Sequence, residues 1–136
     1  MRSLLIIIPF LFSVFVYAQN NLVKNPSFEE YYSCPNNLGQ LDLAKYWFNP
    51  TASSPDYFNA CSTEPFFSVP YNFFGNYQPA VGGNAYCGFY TYQSDNSNAR
   101  EHIGTQLTTP LVIGKVYFVS AKFNPAVDIT NEGLDC

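Results

Sequence analysis

An all-β fold is the class this sequence predicts, and three observations carry it. Ten prolines, eight glycines and fourteen asparagines punctuate the 136 residues too often for long helices. Between these breaks lie short β-prone runs, the pattern of a sandwich or a barrel. Aromatic residues make up 18 % of the chain and charged residues only 12 %, which argues for a packed core and against disorder. A net charge of −4 argues against nucleic-acid binding, which draws its affinity from Lys and Arg.

The first element is a secretory signal over residues 1–18. Arg2 supplies the positive start, an apolar run from Leu4 to Val16 is broken only by Pro9 and Ser13, and Ala18 ends it as the small residue before a cut. About 13 apolar residues are too few to span a bilayer, which needs around 20. A buried helix is the competing reading, and the polar Gln19-Asn20-Asn21 that follows weighs against it. No Cys lies near the cut, so no lipid anchor is expected there, and no later run is long enough for a membrane span. Residues 19–136 are therefore read as one exported domain, placed in the periplasm, at the outer membrane or outside the cell.

The strands follow in order. Leu22-Val23-Lys24 opens the domain, and Pro26 confines that strand to an edge or bulge. Residues 45–48 hold Trp47, expected in the core. Residues 56–59 form a short strand or turn, residues 84–92 the longest aromatic strand, residues 100–107 a moderately alternating one, and residues 116–123 the strongest, entered through a turn at Ile113-Gly114-Lys115. Residues 61–83 are loop-rich, with a turn at Gly82-Gly83-Asn84. Strand alternation puts Ala85, Cys87 and Phe89 on a core face and Tyr86, Tyr90 and Tyr92 on the other. In one sheet, Tyr86, Tyr90, His102, Gln106, Phe118 and Lys122 would line a common surface.

Four cysteines in an exported chain allow three pairings. The polar, turn-rich settings of Cys34 and Cys61 favour joining those two, closing a loop of about 27 residues that contributes roughly 3 kcal/mol. Cys87 reads as a core thiol and Cys136 as a frayed terminus.

Catalysis has little support. His102 is the only histidine, and there is no nucleophile elbow, no His-Glu-x-x-His and no phosphate loop. Carboxylate pairs can be drawn from Glu29, Glu30, Asp56, Glu64 and Glu101, but ten acids offer such pairs by chance. Glycan binding fits better, because sugar rings stack on aromatic faces while polar groups hold their hydroxyls. Tyr86, Tyr90 and Tyr92, with His102 and Gln106, are the candidate ligand-binding residues. The competing reading packs these tyrosines between sheets or under loops.

Several runs resemble the N-terminal domain of exported Bacteroidota envelope proteins. They are residues 21–29 (NLVKNPSFE), 44–51 (AKYWFNPT), 54–61 (SPDYFNAC), 69–75 (VPYNFFG), 83–89 (GNAYCGF) and 107–111 (LTTPL). In that group the domain often precedes an OmpA-like peptidoglycan-binding domain or a surface-sorting tail. The opening run also looks like the first strand of galactose-binding-like jelly rolls of carbohydrate-binding modules. The resemblance implies a jelly-roll β-sandwich. A jelly roll has about eight strands. Five or six are countable here, so the domain is expected to be incomplete at its C-terminus. It also implies a structural calcium with Glu29 as a ligand, against a solvated Glu29–Glu30 pair; no other cofactor is expected. Cys87 departs from the pattern, where a small residue such as Ala is expected. The sequence thus points to a non-catalytic exported module that binds polysaccharide or another cell-surface glycan. A structural or adhesive spacer without a small ligand is the alternative, and a remnant of a glycan-processing enzyme the third reading. Oligomeric state is left open.

Overall fold

Pairing begins where the chain is richest in buried aromatic residues. Strand β2 (Asp56–Asn59) is buried at all four positions and pairs antiparallel with β3 (Ala85–Gly88), with Tyr57 opposite Cys87 and Phe58 opposite Tyr86. A second antiparallel pair joins β1 (Trp47–Phe48) to β4 (Gly104–Thr105), and a 3-10 turn at Leu41–Leu43 leads into β1. The computed structural model describes residues 20–74, 77–92 and 99–126; the expected signal over residues 1–18 and Cys136 lie outside them. The architecture is β-rich and antiparallel, built as two small sheets and long ordered loops.

The strands are shorter than the sequence pattern predicts, for identifiable reasons. The run over 84–92 forms a ladder only to Gly88, which lies opposite Asp56. One step further the partner would be Pro55, which has no N–H to give. The run over 100–107 keeps β4 and a single bridge from Leu107 to Val23, which is all that remains of the opening strand. Thr108 N–H adds one bond to Leu22 O at 2.8 Å. Residues 116–123, the strongest strand on pattern, form no strand: among the described residues nothing pairs with their backbone. β propensity fits a pleated, half-buried surface and cannot act without one. The turn before it does form, with Lys115 N–H donating to Val112 O at 3.1 Å and Gly114 at φ +83°.

The core is small and aromatic. Tyr57, Phe58, Leu41 and Ala44 are essentially solvent-free, and Phe28, Leu43 and Trp47 pack against Ala44, Tyr57 and Ala85. The Trp47 ring stacks on Phe28 with centroids 4.4 Å apart, so its core expectation holds in part, since it stays half-buried. Asn25 organises this corner. Its side-chain amide donates to Glu30 O (2.7 Å) and Lys45 O (3.1 Å), its side-chain oxygen accepts from Glu30 N–H (3.0 Å), and its backbone oxygen accepts from Trp47 Nε1 (2.8 Å). Asn25 sits at φ +47°, a conformation Asn tolerates better than most residues. The Asn-Pro-Ser-Phe-Glu run is thereby a folded corner, with Phe28 also at positive φ (+62°) and its carbonyl accepting from the Tyr57 hydroxyl at 2.8 Å.

The Cys34–Cys61 disulfide is present, with Cα atoms 5.6 Å apart and a separation of 27 residues. Beside it, the Ser62 hydroxyl donates to Pro35 O at 2.7 Å, so the two loops are joined twice.

Candidate functional site

A cleft of about 380 Å³ opens where three loops meet. Its lining comes from the 51–54 loop, from Tyr90, and from the stretch 99–102 that carries Arg100, Glu101 and His102. The first wall has a local cause. Asn49 shapes it: its side-chain oxygen accepts from Thr51 N–H (3.1 Å) and from the hydroxyls of Thr51 (3.2 Å) and Ser53 (3.0 Å), and its amide donates to Ser53 O. Such Asx turns fold a loop on itself without a strand.

Glu101 braces the cleft. One carboxylate oxygen accepts from Ser54 N–H and the Ser54 hydroxyl, both at 3.1 Å, and the other from Tyr90 N–H at 2.9 Å. Its own N–H donates to Tyr90 O at 2.8 Å. Charge-assisted bonds of this kind are stronger than neutral ones. With both oxygens engaged, Glu101 serves as a positioning group, fixing Ser54 and Tyr90 against each other. Sequence reasoning placed Glu101 only among chance carboxylates; a bond spanning 47 residues leaves no local signal.

Asp56, the first residue of β2, is only 4 % exposed. Burial pushes its carboxyl up from 3.8 to about 6; the Gly39 N–H, donated to its side-chain oxygen at 2.6 Å, opposes the rise, and the Glu101 charge adds to it.

The five candidate ligand-binding residues are divided by the fold. Tyr90 and His102 line the cleft. Tyr92 is 47 % exposed, with the Arg100 guanidinium 5.1 Å from its ring centroid, and Arg100 lines the cleft itself. Gln106 is exposed beyond β4 and does not line it. Tyr86 is turned away: it packs on Phe58 (5.4 Å between centroids), donates to Gln78 O at 3.0 Å and accepts from the Asn72 amide. Burial raises its phenol above 10, with the Asn72 bond opposing. Tyr86 lies within the β3 ladder and Tyr90 beyond its end at Gly88, so strand alternation does not carry the two to one surface, and no strand carries Phe118 and Lys122. Phe74 continues the aromatic packing, edge-on to both Tyr90 (5.6 Å) and Phe58 (6.1 Å).

Glu29 holds a turn. Its carboxylate accepts from Asn84 N–H at 2.8 Å and lies against Gly83, which sits at φ +78°. Among the described residues no three His, Cys, Asp or Glu side chains gather in a metal-holding group. Cys87 is a half-buried thiol that burial pushes up to about 12, which keeps it protonated and a poor nucleophile near neutral pH. No helix among the described residues is long and apolar enough to cross a membrane.

Comparison with protein-family models, with characterised proteins and with solved structures found no match, so the functional reading rests on this geometry.

Proposed function

We propose that the protein is a non-catalytic, exported binding module of the cell envelope or surface, with a jelly-roll plan, and that its cleft takes a polysaccharide. One observation carries the reading. Tyr90 lines an open cleft together with the polar residues Ser53, Ser54, Arg100 and His102, and the Arg100 guanidinium lies over the Tyr92 ring. Sugar recognition needs that mixture: a ring for the C–H face and a few placed polar groups for the hydroxyls. Glu101 supports it by locking Ser54 to Tyr90, which lowers the ordering cost of binding.

Affinity electrophoresis in gels containing neutral or acidic polysaccharides tests this. Tyr90→Ala and His102→Ala are expected to abolish the retardation of the parent protein, while Gln106→Ala keeps it. No retardation of the parent in any gel, or retardation unchanged in both cleft variants, would reject the cleft as a glycan site. The Cys34–Cys61 bond is weakly compatible with export.

A further inference from the structure

Two planar nitrogen donors meet at the cleft. Arg100 and His102 are the only arginine and the only histidine among the described residues, and both line it. Glu101 stands between them in the chain, with its two carboxylate oxygens taken by Ser54 N–H, the Ser54 hydroxyl and Tyr90 N–H. The acid of the three is bonded to the frame, so the stretch 100–102 offers a ligand chiefly donors. The Arg100 guanidinium lies over the Tyr92 ring, 5.1 Å from its centroid. A guanidinium stacked by its face donates through its N–H edge, a fork that matches two oxygens of one anion.

Resting on the reading of this cleft as a glycan site, we propose that its ligand is an acidic polysaccharide, whose sugar-borne carboxylate or sulfate takes the Arg100 fork while His102 donates beside it and Tyr90 meets the sugar ring. An anion fits the fork better than a hydroxyl does, because it accepts two parallel N–H bonds at once and neutralises the charge it meets. The chain carries ten acidic residues against six Lys and Arg, and as a whole it repels a polyanion. That repulsion is screened beyond about 10 Å in 0.1 M salt, whereas a contact pair in the cleft is screened far less. Retention of a polyanion by this protein therefore reports a local site and not a general attraction.

Affinity electrophoresis of the whole chain in matched gels tests the proposal, with retardation measured against a ligand-free gel. The probes are polygalacturonate with its carboxyl-reduced neutral form, and dextran sulfate with neutral dextran. Retardation is expected in at least one acidic gel, with an apparent affinity roughly tenfold above that for its neutral counterpart. Binding of polygalacturonate alone would assign the anion as a carboxylate, and of dextran sulfate alone as a sulfate. Arg100→Gln is expected to lower the affinity for the acidic polymer by a similar factor with an unchanged far-ultraviolet spectrum, and Tyr90→Ala to abolish it. Retardation by the neutral polymers equal to or greater than that by the acidic ones, or acidic retardation unchanged in Arg100→Gln, would overturn the proposal; the cleft stays a glycan site in either case where Tyr90→Ala abolishes binding. No retardation in any gel, or retardation unchanged in both Tyr90→Ala and His102→Ala, would remove the glycan reading and this proposal with it.

Discussion

Replacing Asp56 with Asn separates a buried charge from the hydrogen bond that holds it. The carboxyl titrates near 3.8 when solvated and near 6 in the folded chain, chiefly because it is buried. Between those values the folded chain keeps a proton that the unfolded chain has released. Stability from this group is therefore full below about pH 4 and is lost as pH rises through 6. A gap of about 2 in pKa corresponds to ~3 kcal/mol. Relaxation of the surrounding structure, which includes the Gly39 loop, reduces the expected loss to about 1–2 kcal/mol. Asn keeps an acceptor for the Gly39 N–H but carries no charge, so the variant's stability should stay flat where the parent's falls. Urea melts at a series of pH values, followed by the fluorescence of the lone Trp47 stacked on Phe28, give both profiles. Parallel profiles for parent and variant between pH 4 and 7 would refute the assignment of this slope to Asp56.

Four further changes probe the frame of the domain. Asn25→Ala removes three half-buried side-chain hydrogen bonds and is expected to cost about 2–4 kcal/mol in chemical denaturation; a loss below 1 kcal/mol would mean the corner holds without it. Reducing the Cys34–Cys61 bond should lower stability by about 3 kcal/mol, read as a shift in the thermal midpoint with and without reductant. Gly83→Ala meets two obstacles, a left-handed φ of +78° and a Cβ that collides with the Glu29 carboxylate. It should destabilise by roughly 1–3 kcal/mol. Glu29→Gln keeps the acceptor for Asn84 N–H and should shift the melting temperature far less, so equal losses in the two variants would contradict the turn-holding role of Glu29.

Sequence by itself pointed to the β-rich class and the turns at Gly83 and Gly114, and favoured the Cys34–Cys61 pair among three. Those features follow from local chemistry: a glycine where φ is positive, a proline where a ladder must end, a cysteine in a polar loop. Tertiary structure decided how far each strand runs and which tyrosines reach the cleft. The alternation through Tyr86, Tyr90 and Tyr92 is the same in any extended chain, but β3 extends only as far as β2 offers partners, and Pro55 ends that supply. Likewise the segment with the strongest β pattern, residues 116–123, forms no strand where it meets no neighbour. Glu101 and Asn25 escaped the sequence reading for the same reason. Their roles are hydrogen bonds to residues 47 and 20 positions away, and no local pattern records where a folded chain will bring a distant N–H or carbonyl. Periodicity states which way side chains would point; only the presence of a partner strand decides whether they do.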